Sequence, residues 1–284
     1  MDKKQFTIDQ HYIPRFILKN FTKDNMLQVA DISGKNTRYF MTSPDRICFE
    51  KNLYELKNSD GTYFDRNKIE DWFSSIETWL APRLNELIQK CSDAQYRLDG
   101  EQDAALAMLF ALQLTRLPEI KERILQNDAI EPMEKSYIYA SFVHSHQFAI
   151  AYLNENNVII HPNLLDDNEG KTLIDTITSN LLGNCFFYVI NATKAEEKFI
   201  IADHSVLILP FEDVHYLLPI SPNLAVACCT FAAVHRKQEE GVVEATNDVV
   251  HKINIQTRKQ CRKFLIAQEF SVAYKTFLEG QNDK

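Results

Sequence analysis

Glycine and proline are scarce in this chain, with 7 glycines and 9 prolines among 284 residues. So little glycine and proline excludes a collagen-like segment and a low-complexity linker. The chain also has no G-x-x-x-x-G-K-[ST] segment and no G-x-G-x-x-G segment. Because such glycine-rich loops cradle the phosphates of ATP and of dinucleotides, their absence argues against enzymes that use these molecules, and we expect no cofactor.

Cysteine motifs that bind metal are missing as well. None of the six cysteines belongs to a C-x-x-C pair, and none lies near a histidine at the spacing of a zinc finger, so we expect no structural zinc site. The N-terminus lacks the apolar stretch of a signal peptide, and the longest apolar run, residues 104–114, has about half of the ~20 residues that a membrane span needs. These features predict a cytoplasmic protein with reduced thiols and no membrane partner.

Positive charge is the third scarcity, since 31 Lys and Arg face 39 Asp and Glu and leave a formal charge of -8. Affinity for phosphates comes from clustered Lys and Arg, so this balance argues against a protein that coats nucleic acid with its whole surface. This composition is still compatible with a nucleic-acid contact through a local basic patch. The hydrophobic content of 45% and the charged content of 25% are typical of a globular protein with a sizeable core.

The spacing of apolar residues changes twice along the chain. Alternating and β-branched segments within residues 26–56 predict a hairpin and a third strand, in a β-containing region of residues 1–60. Apolar side chains then recur at three- and four-residue steps over residues 65–182, where we expect four helices, over residues 65–91, 101–116, 130–153 and 164–182.

Strand patterns return at residues 185–231, and residues 247–268 predict a closing helix inside a last region of residues 185–270. Strands at both ends with helices between them predict an α+β fold. We expect a single domain over residues 1–284, in which the N- and C-terminal strands form one mostly antiparallel sheet packed with the central helical region.

The segment QHYIPRFILKNF, residues 10–21, carries an unusual group of polar side chains. Pro14 suits the first turn of a helix, so Arg15 and Lys19 lie one turn apart opposite the core, and His11 lies just before the helix. Together they predict an anion site with two phosphate ligands and one proton-transfer group, His11. The alternative is that Arg15 and Lys19 form a solvated helix face and that His11 caps the helix or satisfies a backbone carbonyl.

This segment resembles the opening motif of a bacterial family known only as a domain of unknown function, number forty-two thirty-eight in that series. The resemblance continues in order along nearly the whole chain. Where the family commonly has Thr-Ser-Asp-(Asn or His)-Pro, this chain has Ile-Ala-Asp-His-Ser at residues 201–205. The further matching segments are NLYEL (52–56), IETWLAPRL (76–84), ALAMLFALQLTRLP (105–118), FIIADHSV (199–206), YLLPISPNL (216–224) and a helix around Asn254.

The resemblance implies a single-domain α+β protein with a role in bacterial defence against phage, and it implies no particular reaction. Since Gln113 and Arg116 end the most apolar helix, we expect Arg116 to be buried and paired with Glu77 or Asp203. The shared polar residues form either a structural ion-pair network or a polar site where strand corners meet the opening motif. They are His11, Arg15, Asn52, Glu77, Gln113, Arg116, Asp203 and Ser221.

Three other patterns have both a functional and a structural explanation. His144 and His146 resemble a metal pair, but helix residues two apart point in different directions. Asp203, His204 and Ser221 resemble a hydrolase triad, but neighbouring strand residues face opposite sides and no G-x-S-x-G is present. The third pattern is a basic stripe at helical spacing, which is either a solvated helix face or a nucleic-acid contact. It consists of Arg258, Lys259, Arg262 and Lys263.

Two functions from different classes follow from these features. The first is a defence effector that acts on nucleic acid or nucleotides, as a nuclease that cleaves phosphodiester bonds without a metal ion. In it His11 transfers a proton, Arg15 binds phosphate, and Glu77 and Asp203 orient the site, so that His11, Arg15 and Asp203 converge in one open cleft. The second is a non-catalytic sensor of a phage protein, in which the same motif is a fold-specifying ion-pair network. The candidate binding residues are Lys19, Asn52, Gln113, Arg116 and Ser221.

Overall fold

The computed structural model of the chain describes residues 6–91, 96–158, 171–209, 214–231 and 241–280. These residues form two compact units, each assembled from three separate stretches of sequence. The organisation of the whole chain as a single domain stays a prediction. As far as they are described, unit 1 takes Met1–Tyr12, Phe49–Trp79 and Ala107–Asn180, and unit 2 takes Ile13–Cys48, Leu80–Leu106 and Leu181–Lys284.

Unit 1 is mainly helical and contains two small antiparallel sheets. Strand β1 (Asp9–His11) pairs with β4 (Phe49–Lys51), and β5 (Leu56–Lys57) pairs with β6 (Tyr63–Phe64). Two of its helices begin with a proline, whose missing N–H is not needed in a first turn, and the third begins after Ser145, whose hydroxyl accepts the N–H of Phe148. These helices are α4 (Pro118–Leu125), α5 (Pro132–Val143) and α6 (His146–Glu155).

Three further helices contribute residues to both units, namely α2 (Lys68–Lys90), α3 (Gly100–Thr115) and α7 (Leu173–Asn184). Helix α2 has Glu70 and Asp71 in its first turn and Lys90 in its last, which complements the helix dipole. Its extent confirms the long helix predicted from apolar spacing. Helix α3 is apolar on nearly all sides and supplies fully buried side chains, among them Phe110 and Leu112.

Unit 2 contains a five-stranded sheet with the order β12-β7-β11-β10-β9. All neighbours are antiparallel except β12 and β7, which run parallel. The central strands β7 and β11 are buried along nearly their whole length, as their near-continuous apolar sequences predict. The strands are β7 (Cys185–Asn191), β9 (Leu207–Ile208), β10 (Tyr216–Ser221), β11 (Leu224–Thr230) and β12 (Val242–Glu244).

A four-stranded antiparallel sheet with the order β3-β2-β13-β8 also lies in unit 2. Its register sets Arg38 opposite Asp31 and Asp31 opposite Phe264. The strands are β2 (Leu27–Asp31), β3 (Arg38–Thr42), β8 (Ile201–Ala202) and β13 (Phe264–Ala267). The remaining helices of this unit are α1 (Arg15–Lys19), α8 (Asn247–Gln260) and α9 (Val272–Gly280).

The α+β class is confirmed, and the sheet arrangement is more divided than expected. N- and C-terminal strands do share a sheet, the four-stranded one, but most strands after Cys185 form the separate five-stranded sheet. The closing helix predicted over residues 247–268 is wrong in its last part, because α8 ends at Gln260 and Phe264–Ala267 is a strand. This short apolar segment is buried between β2 and β8, where a strand satisfies its backbone groups.

Two other helix predictions need correction. The stretch expected over residues 130–153 is two helices, with a break at His144 and Ser145. The one expected over residues 164–182 is α7, and residues 164–170 lie outside the described part of the chain.

Arg262 and Lys263 follow the end of α8, so the basic stripe does not run along one helix. Among the helices described, none is long and apolar enough to cross a membrane.

Candidate functional site

Arg116 is the centre of a buried polar cluster in unit 1. Its side chain is 1% exposed, and Nη1 pairs with Glu77 on α2, which confirms the expected burial and acidic partner. Nε donates to the hydroxyl of Tyr54 at 3.2 Å, and Nη2 donates to the backbone carbonyl of His11. The guanidinium also lies over the ring of Phe73, 4.7 Å from its centroid. All three guanidinium nitrogens therefore donate inside the protein.

Gln10, the first residue of the opening motif, connects β1 to this cluster through side-chain hydrogen bonds. It is fully buried, its Oε1 accepts the N–H of Tyr54 at 2.8 Å, and its Nε2 donates to Glu55 at 2.8 Å. Glu55 in turn accepts the N–H of Asn67, the residue before α2, at 3.2 Å. The motif thus holds β1 by side-chain and backbone bonds, and sequence reasoning missed Gln10 because a glutamine is ordinarily a surface residue.

His11 enters the cluster through its backbone. Its carbonyl accepts the hydroxyl of Tyr54 at 3.2 Å as well as Arg116. The imidazole packs against Phe49, which lies opposite in the β1–β4 pair, with ring centroids 5.4 Å apart. His11 as a whole is half-buried, and the Nε2 atom of its ring is buried.

Glu70 is a second residue that sequence reasoning missed. Burial raises the pKa of this carboxyl to about 7, and the charges of Glu77, Asp71 and Glu55 raise it further, while the charge of Arg116 opposes them. Its Oε2 is buried and makes no hydrogen bond. A carboxyl with a pKa near neutrality exchanges a proton readily at physiological pH.

A sequence signal for Glu70 exists in the spacing of α2. Glu70, Phe73 and Glu77 follow at steps of three and four residues, so both carboxylates lie on the same side as a fully buried phenylalanine. Acidic residues on an apolar side of a helix need a partner. Here Arg116 pairs with Glu77, whereas Glu70 feels only the charge of Arg116.

The remaining sequence-predicted candidates of unit 1 are Asn52 and Gln113, and the structure adds Lys121. Asn52 adopts a left-handed backbone with φ 53°, and its Oδ1 accepts from Arg66 at 3.5 Å. Gln113 is 1% exposed and lies one turn before Arg116. Lys121 on α4 donates to the carbonyl of Leu53, and burial lowers its pKa to about 8.

Arg15 and Lys19 belong to unit 2, as the first and last residues of the one-turn helix α1. Both side chains are exposed, as their spacing predicts. Arg15 pairs with Asp45 at 2.8 Å, and the two side chains are each 59% exposed. A pair so open to solvent contributes little to stability.

Asp203 and Ser221 also belong to unit 2, and both satisfy backbone groups. The carboxylate of Asp203 accepts three successive N–H groups, from Arg262 at 3.0 Å, Lys263 at 2.8 Å and Phe264 at 3.2 Å. The hydroxyl of Ser221 accepts the N–H of Leu224 at 3.1 Å in the turn between β10 and β11. Asp203 therefore holds the segment before β13, and Ser221 closes a hairpin.

The sequence-predicted site residues thus divide between the two units. The convergence of His11, Arg15 and Asp203 in one cleft stays a prediction, as do the catalytic and binding roles of all these residues. His11, Asn52, Glu77, Gln113 and Arg116 lie in unit 1, and Arg15, Lys19, Asp203 and Ser221 lie in unit 2.

Comparison with known proteins gives a family and no activity. A search of curated proteins and a search of solved structures found no match. A family model described as "Protein of unknown function (DUF4238)" matches residues 9–270, a span that begins at β1 and includes every residue of the Arg116 cluster. The chain therefore belongs to the DUF4238 family.

Proposed function

We propose that this protein is a cytoplasmic bacterial anti-phage effector that acts on nucleic acid or nucleotides by acid–base chemistry at the Arg116 cluster. The observation that supports this most directly is Glu70, whose carboxyl has its pKa raised to about 7 beside a fully buried guanidinium. Acids and bases that work at neutral pH need such pKa values, and burial is the usual way to reach them. The defence role rests on the family resemblance.

Hydrolysis of a phosphodiester bond needs one group that takes a proton from water and one that gives a proton to the leaving oxygen. At pH 7 Glu70 is present in both forms, so its carboxylate accepts the proton of the attacking water. His11, whose backbone carbonyl accepts from Arg116, supplies the proton to the leaving oxygen. Arg116 is a positioning residue, because its nitrogens are already bonded to Tyr54, Glu77 and the His11 carbonyl.

The test compares the native protein with Glu70→Gln and His11→Ala, after induction in phage-infected bacterial cells. The integrity of total RNA and DNA and the phage titre are both measured. We expect the native protein to degrade one nucleic acid and both variants to leave it intact. Glu134→Gln, which changes an exposed carboxylate of unit 1, is the matched control and should keep full activity.

Melting temperatures of the purified variants decide whether a loss of activity reflects chemistry or unfolding. A stably folded Glu70→Gln protein that still degrades nucleic acid would remove Glu70 from the reaction. Intact RNA and DNA in cells that the native protein protects would overturn a nuclease function.

A second candidate is the non-catalytic sensor of a phage protein. The observation in its favour is that Arg116 is 1% exposed and bonded internally through every nitrogen, as in a network that specifies a fold. In this case a folded Glu70→Gln or His11→Ala protein should protect cells as well as the native one does, with their nucleic acids intact.

A further inference from the structure

Four basic side chains gather at one end of the four-stranded sheet of unit 2. Arg38 opens β3, and Lys35 lies in the β2–β3 hairpin loop that precedes it. Because Phe264 pairs with Asp31, and Asp31 with Arg38, the segment before β13 reaches the same end and brings Arg262 and Lys263 there. We call Lys35, Arg38, Arg262 and Lys263, with the rings of Phe40 and Phe264, the cationic end of the sheet.

Asp31 and Asp203, the two acidic residues that the described part of the chain places at this end, are buried and bonded internally. Asp31 is 7% exposed and accepts from Ser33 and from Arg38, and Asp203 is 7% exposed and accepts the three N–H groups before and at the start of β13. The basic side chains, by contrast, are exposed, and that of Arg38 is 75% exposed despite its bond to Asp31. The charge presented to solvent is therefore positive, in a chain whose total charge is -8.

Two aromatic rings lie among these charges. Phe40 and Phe264 share the face of the sheet that carries Arg38, since residues opposite one another, and residues two apart along a strand, point the same way. Their rings meet edge to face, with centroids 6.3 Å apart, and neither is fully buried. Arg38 lies 5.8 Å above Phe40 and Lys263 lies 4.6 Å above Phe264.

The segment that carries Arg262 and Lys263 is held in place before any ligand arrives. Asp203 accepts its successive N–H groups, the carbonyl of Lys263 accepts the N–H of Ile32 at 2.8 Å, and the carbonyl of Phe264 accepts the N–H of Asp203 at 2.9 Å. Binding to such a segment costs little ordering entropy. It is an arrangement suited to ligand recognition at an exposed surface.

We propose that the cationic end binds single-stranded nucleic acid, with phosphates at Lys35, Arg38 and Lys263 and unpaired bases against Phe40 and Phe264. Cations that follow the backbone and aromatic rings that stack on bases are the two features that single-strand binding requires. A duplex offers the phosphates but keeps its bases paired and covered, so it leaves the rings unused. This inference rests on the proposed function, since it names the form of nucleic acid that such an effector would take.

The test is fluorescence anisotropy with a short labelled oligothymidylate and with a duplex of the same length, at several salt concentrations. Each lost phosphate contact should reduce the steepness of the plot of log K against log salt by about 0.7. At 0.15 M salt, this corresponds to a loss of binding affinity of about fourfold. We expect this loss for Lys35→Gln and again for Lys263→Gln. Phe264→Leu, which keeps the strand and most of the apolar volume, should weaken single-strand binding about fivefold or more and leave duplex binding unchanged.

Lys275→Gln is the matched control. Lys275 lies 5.8 Å from the centroid of Tyr39, on the opposite face of the same sheet, so the variant removes one charge and one cation–aromatic contact without touching the cationic end. It should bind as the native protein does. Melting temperatures show that each variant is folded.

Native affinity in the variants, or a native protein that binds duplex as tightly as single strand, would overturn the proposal. The outcome is separable from that of the proposed function. Tight single-strand binding without degradation in cells would leave this surface standing and remove the nuclease, whereas degradation that Lys35→Gln and Lys263→Gln do not impair would do the reverse.

Discussion

Replacement of Arg116 by alanine should destabilise unit 1 strongly. The change removes a guanidinium that is 1% exposed and pairs with Glu77, and it also removes the donors to Tyr54 and to the His11 carbonyl. Breaking a buried ion pair from one side costs about 3–5 kcal/mol. The side chain of Glu77 is 25% exposed and can be hydrated once it is unpaired, so we expect a value near the lower end, about 3 kcal/mol.

The two tryptophans of the chain make this measurement specific. Trp72 and Trp79 both lie on α2 within unit 1, so their fluorescence follows the unfolding of that unit. With a urea dependence of about 2 kcal/mol/M, a loss of about 3 kcal/mol lowers the midpoint by about 1.5 M. Urea titration followed by tryptophan fluorescence at pH 7 reads this shift directly.

Arg123→Ala is the control for the same change at an exposed position of unit 1, and its midpoint should stay within about 0.3 M of the native value. A shift of less than about 0.5 M for Arg116→Ala would refute the reasoning. It would mean that the cluster does not stabilise the fold and that the burial of Arg116 serves another purpose.

Three further outcomes are expected. Burial gives Glu70 a pKa of about 7 in the folded protein against 4.5 when unperturbed, so folding favours its protonated form and the native protein loses about 3 kcal/mol as pH rises from about 4.5 to about 7. Glu70→Gln should therefore match the native urea midpoint near pH 4 and exceed it at pH 8, and parallel pH profiles would contradict this. Asp203→Asn weakens the acceptor of three N–H groups and should cost about 1 kcal/mol, which lowers the melting temperature of a unit of this size by about 2–4 °C, so an unchanged calorimetric scan would count against it. Five of the six cysteines are buried, burial raises the pKa of Cys91 to about 12, and burial also raises the pKa of the partly buried Cys261, so a thiol reagent should modify the native protein slowly and all six thiols in urea. Rapid native labelling of several thiols would show that these burials do not hold in solution.

Elements with a local pattern were predictable from the sequence. Apolar side chains at three- and four-residue steps predicted α2, and alternation around a Ser-Gly turn predicted the β2–β3 hairpin. In both cases the residues that form the backbone hydrogen bonds are close in sequence. The pattern and the structure are therefore decided by the same few neighbours.

Elements with distant partners were not predictable in this way. Residues Phe264–Ala267 continue the apolar spacing of α8, and a helix and a buried strand both fit so short a run. The choice is made by β2 and β8, between which this strand completes the sheet. For the same reason, the sequence did not predict which C-terminal strands belong to the four-stranded sheet and which to the five-stranded sheet.

The site shows the same division. Sequence located the opening motif and predicted that Arg116 is buried and paired with an acidic residue. The reason is that an arginine at the end of a nearly all-apolar helix is buried with that helix, and a buried charge needs a partner. It did not find Glu70, since the raised pKa comes from the burial of α2 against other parts of unit 1 and from the surrounding charges of Glu77, Asp71 and Glu55. It also did not show that Asp203 holds the backbone before β13.

By itself, the sequence determined the fold class, the helical middle, the family and the need for a partner to Arg116, because each depends on composition, local spacing or the burial of one charge. Tertiary structure alone decided that Glu77 is that partner, that Glu70 titrates near neutrality, and that the basic residues before β13 join those of the β2–β3 hairpin. The physical reason is that strand pairing, desolvation and Coulomb interaction act between residues that are close in space and far apart in the chain.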